Sequence, residues 1–205
     1  MILFRDNLPD LQCKIRLIHA IPSAPAVDIY ANGELIAKDL SFSDLSCYTT
    51  VAPGNYEVQL YVAGTYDTPL LTKNIDLLPN SASTISAITL NNNIDLFVLN
   101  DANTPGQINN SFLRFINLSS NSPLLTLSLP NDISLFNSVE YIETTGYYPL
   151  SPGIYNYKVS FGSSEGLFKF IKDLKLDNGK FYTIYIIGLF NNTPQLGYII
   201  AQDGV

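Results

Sequence analysis

Tryptophan is absent from this sequence, histidine and methionine occur once each, and cysteine occurs twice. Each scarcity removes a class of chemistry. Cys13 and Cys47 lie outside any Cys-x-x-Cys pair, so with the lone His19 they make no zinc site unless carboxylates complete it. Two readings of the thiols stay open: two buried free cysteines, each a small apolar core residue, or one disulfide if their strands are neighbours. Positive charge is also sparse. Eleven Lys and Arg against eighteen Asp and Glu give a net charge of -7, with no basic cluster to track a phosphate backbone, so no nucleic-acid partner is expected. No stretch reaches eighteen apolar residues, which excludes a helical transmembrane segment. The opening MILFRDNLPDLQ lacks the charged and apolar regions of a secretory leader, which points to cytoplasmic synthesis. Gly-x-Ser-x-Gly, Gly-x-Gly-x-x-Gly and phosphate-loop patterns are missing, as is sustained helical periodicity with caps. No cofactor, no metal and no catalytic residue is therefore expected.

What the sequence does contain is a repeat. IRLIHAI from Ile15 is echoed by LRFINLS from Leu113: Arg16 falls on Arg114 and His19 on Asn117, an offset of 98 (114 minus 16) that also carries Pro25 onto Pro123. CYTTVAPGNYEVQLY then matches GYYPLSPGIYNYKVS at an offset of 99 (147 minus 48). This places Tyr48, Pro53, Gly54 and Tyr56 on Tyr147, Pro152, Gly153 and Tyr155. STISAIT against YTIYIIG keeps that offset, with Thr84 on Thr183. Three blocks in one order mean two homologous domains. The chain divides into an N-terminal arm (1–12), a first repeat (13–101), a turn-rich linker (102–111) and a second repeat (112–205).

Each repeat reads as seven or eight strands. GNYEVQLYV alternates, with Tyr56, Val58, Leu60 and Val62 toward a core and Asn55, Glu57, Gln59 and Tyr61 toward water, as in an antiparallel sheet. Asn32-Gly33 and Asn178-Gly179 signal two-residue hairpins. Pro53-Gly54 and Pro152-Gly153 fit the centre of a type II turn, each followed by a tyrosine placed for a tyrosine corner. The fold class is all-β, two tandem antiparallel β-sandwich domains.

HAIPSAPAVDIY (19–30), the strand hairpin after it, and VAPGNYEV together resemble a bacterial domain-of-unknown-function family. Its repeats carry His-Ala-Ser-Pro-x-Ala-Pro-x-Val-Asp-Val-Tyr and a Pro-Gly-x-Tyr turn. The first repeat departs at Ile21, and the second carries Asn117 for the histidine and Thr126 for Asp28. The resemblance implies immunoglobulin-like or transthyretin-like sandwiches of exported or envelope proteins without assigned activity. Leaderless members look similar to proteins of spore-forming anaerobes, whose coats assemble from the mother-cell cytoplasm, so a spore surface is a further expectation.

His19, Pro22, Pro25, Asp28, Pro53, Gly54 and Tyr56 in the first repeat, with Asn117, Pro123, Pro152, Gly153 and Tyr155 in the second, are thus expected to be structural. Asparagine replaces a histidine's hydrogen bonds but not its proton transfer, which argues against His19 as an acid or base. Tyr61, Tyr147 and Tyr148 are the candidate ligand contacts, since exposed tyrosines give rigid amphipathic area to a glycan or protein. Related bacterial surface sandwiches join a strand lysine to an asparagine beside a buried carboxylate, for which Lys14, Asn100 and Glu57 are the candidates. The apolar Ile2, Leu3 and Phe4 are candidates for self-association by strand addition. The expected function is a non-catalytic structural or protein-interaction module, with a glycan-binding module as the alternative.

Overall fold

A computed structural model describes residues 11–162 and 168–204, so the arm residues Ile2, Leu3 and Phe4 lie outside the described residues. All of its regular elements are strands. The first repeat contains β1 (Cys13–His19), β2 (Val27–Ala31), β3 (Glu34–Leu40), β4 (Thr49–Val51), β5 (Gly54–Val62), β6 (Leu71–Leu77), β7 (Ala82–Leu90) and β8 (Asn93–Asp101). The second contains β9 (Ser111–Asn117), β10 (Leu125–Ser128), β11 (Ser134–Val139), β12 (Tyr148–Leu150), β13 (Gly153–Phe161), β14 (Phe168–Leu176), β15 (Phe181–Ile187) and β16 (Gly197–Asp203).

These strands form four sheets of four. The first sandwich faces β4-β1-β7-β8 against β3-β2-β5-β6, and the second faces β12-β9-β15-β16 against β11-β10-β13-β14. Val58 and Leu60 of β5 meet Ile15, Leu17 and Ile85 in the first core, as the alternation of GNYEVQLYV requires. Asn32-Gly33 makes the hairpin between β2 and β3, with φ of 49° and 81° at its two central residues.

Several expectations are corrected. The β1·β7 and β9·β15 pairs are parallel, so two of the four sheets are mixed rather than antiparallel. The outer faces of those sheets are not wet. Ile18, Ile88 and Leu99 of the first repeat pack on Ile116, Tyr185 and Ile187 of the second in a third apolar cluster. IRLIHAI is mostly apolar and STISAIT alternates Ile and Ala with small Ser and Thr, and Arg16, His19, Ser83, Thr84 and Ser86 are buried along with the apolar residues of these two strands. Asn178-Gly179 is no hairpin, because β14 and β15 lie in different sheets and the pair carries the chain from one to the other. Nor do Pro53-Gly54 and Pro152-Gly153 close type II turns. Gly54 has φ 149° and, like Gly153, begins a strand paired along its length, opposite Leu77 and Leu176 respectively.

The linker is tied down at Gly106, whose N–H donates to Gly179 O at 3.0 Å. A Cβ there would lie 2.7 Å from the Phe112 ring and 2.9 Å from Gly179 O, so the approach needs glycine.

Candidate functional site

Of the motif residues, His19, Asp28 and Asn117 turn inward and spend their hydrogen bonds on the chain, whereas Pro25, Gly54 and Pro152 are exposed. His19 ends β1 with 0% exposure. Its Nδ1 accepts the Ile21 N–H at 3.3 Å, which leaves Nε2 to donate to Pro25 O at 3.0 Å. Burial lowers its pKa below the ordinary 6.5, against the opposing pull of the Pro25 carbonyl and Asp44, so the ring is neutral. Asn117 repeats the scheme: Oδ1 accepts the Ser119 N–H at 3.0 Å, and Nδ2 donates to Ser122 Oγ at 2.9 Å. Each side chain closes a loop, one running past Pro22 and Pro25 to β2, the other past Pro123 to β10.

Asp28 also serves backbone. It accepts the Asp39 N–H at 2.8 Å and the Gly64 N–H at 2.9 Å, and these two bonds hold its carboxyl below the usual range. Asp39 sits at φ 51° beside a register shift of β3, so Asp28 secures a bulge. Thr126 secures the equivalent bulge with one bond, from Ser138 N–H at 3.0 Å, where φ is 53°. The tyrosine corners close alike: Tyr56 Oη donates to Ala52 O at 2.8 Å, and Tyr155 Oη to Ser151 O at 2.7 Å.

The candidate platform tyrosines are not brought together. Tyr61 is 4% exposed, under Tyr66 at 4.7 Å and beside Tyr30 at 5.5 Å between ring centroids, so neighbouring rings cover a side chain that alternation assigns to water. Tyr148 is exposed at a sheet edge, whereas Tyr147 turns into the seam between the sandwiches. Both cysteines are free. Cys13 is buried with Sγ toward the carbonyls of Val51 and Ala52, while Cys47 is exposed, in the connection before β4 and outside the core. Lys14 and Asn100 stand on β1 and β8 with β7 between them, and exposed Glu57 belongs to the opposite sheet. No cross-linking trio is assembled. Among the described residues, no group of three His, Cys, Asp or Glu is placed to hold a metal ion.

Sequence reasoning aligned Arg16 with Arg114, Tyr48 with Tyr147 and Thr84 with Thr183 but gave a task only to Tyr147, as a candidate ligand contact. The structure joins them at the seam, adding Asp101 and Asp203, one from the end of β8 and one from the end of β16. Arg16 is 3% exposed and Arg114 2%. Each guanidinium is anchored in its own sandwich through Nε, to Thr84 Oγ1 at 2.8 Å or Thr183 Oγ1 at 2.9 Å. It then reaches across. Arg16 donates to Gln202 O at 2.8 Å and to Asp203, and Arg114 donates to Asn100 O at 2.7 Å and to Asp101 at 2.5 Å.

Each aspartate is held at home as well. Asp101 accepts from Thr84 at 2.6 Å and Tyr48 Oη at 2.7 Å, and Asp203 from Thr183 at 2.5 Å and Tyr147 Oη at 2.8 Å. The same tyrosines lie under the guanidinium carbons at 4.5 Å, a cation–π contact in each half. Burial opposes the charge on both arginines, but the surrounding aspartates and tyrosines prevail, with Asp203 foremost at Arg16 and Tyr147 at Arg114, and keep both above their ordinary pKa. Burial and the neighbouring Asp101 raise Asp203, against the two arginines. Two cations and two anions cancel, so the seam holds no net charge. Tyr185, between the sheets, has its hydroxyl pushed up to about 12 by burial and the two aspartates, and this hydroxyl has no partner among the described residues.

An open cleft of about 600 Å³ in the second sandwich is lined by Lys169, Phe190, Asn191, Asn192 and Gln195 among others. A narrower slot of about 220 Å³ lies between the sheets of the first, with Ile15, Val58, Ile75 and Ile85 in its walls and Glu34 and Thr50 among its lining residues.

No helix among the described residues is long and apolar enough to cross a membrane. No curated protein matches the chain. Residues 13–128, from the first residue of β1 to the last of β10 and more than half of the chain, match the family described as domain of unknown function DUF4397, and the chain belongs to that family.

Proposed function

We infer that this chain is a non-catalytic structural or protein-interaction module of a bacterial cell envelope or spore surface. The observation that carries the reading is the seam. Arg16, Arg114, Asp101 and Asp203 are buried and mutually bonded, which joins two sandwiches into one unit and leaves these charged groups no access to a substrate. His19 and Asp28, two further buried groups with acid–base chemistry, are bonded to backbone. A general base needs its proton-accepting atom within reach of a substrate, and here those atoms face the chain itself. Fractionation tests the location: the protein is expected in the envelope or spore-coat fraction when spores and vegetative cells are compared, and recovery wholly in the soluble cytosol would oppose it.

The second reading, a glycan-binding module, is favoured by the 600 Å³ cleft. Its amide side chains Asn191, Asn192 and Gln195 beside Phe190 combine directional hydrogen bonding with a flat apolar face. A glycan array read with the wild type and with Phe190→Ala tests it. Binding lost in the variant supports the glycan reading, and no binding by the wild type removes it.

A further inference from the structure

The two sandwiches fill the space between their sheets differently. In the second, Tyr157 of β13 is fully buried, its ring stacked on Tyr155 at 5.8 Å between centroids. At the offset of 99 its counterpart on β5 is Val58, which ends in two methyl groups. At the offset of 98, Leu129 of the second repeat likewise corresponds to Ala31 of the first. Val58 and Ala31 both line the slot of about 220 Å³. An apolar cavity of about 150 Å³ is enough to stay dry and take up benzene.

The edges of the sheets differ in the same sense. In the second sandwich Phe136 of β11 and Tyr148 of β12 meet at 6.3 Å between ring centroids, joining the two edge strands. Their counterparts in the first are Ala37 of β3 and Thr49 of β4, too short to meet in that way. Lys73 of β6 pairs with Asp95 of β8 at 2.6 Å on the opposite side of the first sandwich. The slot is therefore approached between β3 and β4, past Glu34 and Thr50.

We propose that this slot binds a small, neutral, monocyclic aromatic molecule, its ring lying where the phenol ring of Tyr157 lies in the second sandwich. The walls offer the apolar contact that removes such a ring from water. The Glu34 carboxylate at the rim repels anions, so phenol and toluene enter and benzoate does not. This binding site is independent of the surface role inferred above.

The test is a titration of the full chain, with its methyl groups followed by NMR, using phenol, toluene and benzoate as probes. Phenol and toluene shift the methyls of Ile15, Ile75, Leu77 and Ile85 saturably and leave those of Leu127, Ile171 and Ile184 unmoved; benzoate shifts neither set. Val58→Tyr supplies the ring covalently and weakens phenol binding about tenfold or more. Should that variant fail to fold, Ala31→Leu narrows the slot from another wall and must weaken binding likewise. No saturable shift in the wild type up to the solubility limit of toluene overturns the proposal, as does unchanged affinity in the folded filling variant.

Discussion

The first sandwich does with charged and ionisable side chains what the second does with neutral ones. His19 and Asp28 close a loop and a bulge in the first repeat, and Asn117 and Thr126 do so in the second. The difference teaches that these positions require hydrogen bonding and not proton transfer, since one half of the molecule folds without the titratable group. Where the two halves agree, at Arg16 and Arg114 with their threonines and tyrosines, they agree down to the bonding pattern. The shared element is the seam.

Breaking that agreement has the largest expected effect. Arg114→Met leaves Asp101 buried without its strongest partner and lowers stability by about 3–5 kcal/mol, and Arg16→Met does the same to Asp203. Combining Arg114→Met with Asp101→Leu recovers part of the loss, because both charges of one pair are then gone. Chemical denaturation of the single and double variants measures both numbers, and equal losses for the two arginines test the symmetry.

A smaller effect separates the halves. Asp28→Ala strands the N–H groups of Asp39 and Gly64 and costs about 1–3 kcal/mol. Thr126→Ala strands one N–H and costs about 1 kcal/mol. Denaturation midpoints that rank the two in the opposite order would contradict the account of the bulges. Tyr56→Phe and Tyr155→Phe remove one bond each from matching corners, and each costs about 0.5–1.5 kcal/mol by the same measurement.

The smallest effect is confined to acid. Unfolded histidine takes up a proton near pH 6.5, while the buried ring does so only at lower pH. Below about pH 6.5 the unfolded state binds more protons than the folded one. The contribution of His19 is thus fully present above that pH and lost as pH falls toward the lowered folded value. His19→Asn keeps the fold, copying the second repeat, and removes this part of the acid slope in stability measured against pH.

What was legible in the sequence was local or repeated. The Asn32-Gly33 hairpin and the tyrosine after each Pro-Gly are set by neighbours within a few residues, and the structure carries both, while the alternation of GNYEVQLYV holds for Val58 and Leu60 but not for Tyr61. The repeat also showed that His19 has an asparagine equivalent. The seam was half legible: an arginine repeated inside an apolar run is a buried charge, and a buried charge needs a partner. That partner was hidden, because Asp203 is 187 positions from Arg16 and comes from the other sandwich. Tyr61 was misplaced because alternation assigns a face but not the rings of Tyr30 and Tyr66 that cover it. The slot is a missing volume, visible only when Val58 is set beside Tyr157.

The seam makes the two sandwiches one cooperative unit, and scanning calorimetry of the intact chain tests that directly. A single transition whose calorimetric and van't Hoff enthalpies agree is the expected result, with Arg16→Met/Arg114→Met splitting it into two. Two separate transitions in the unaltered protein would contradict it.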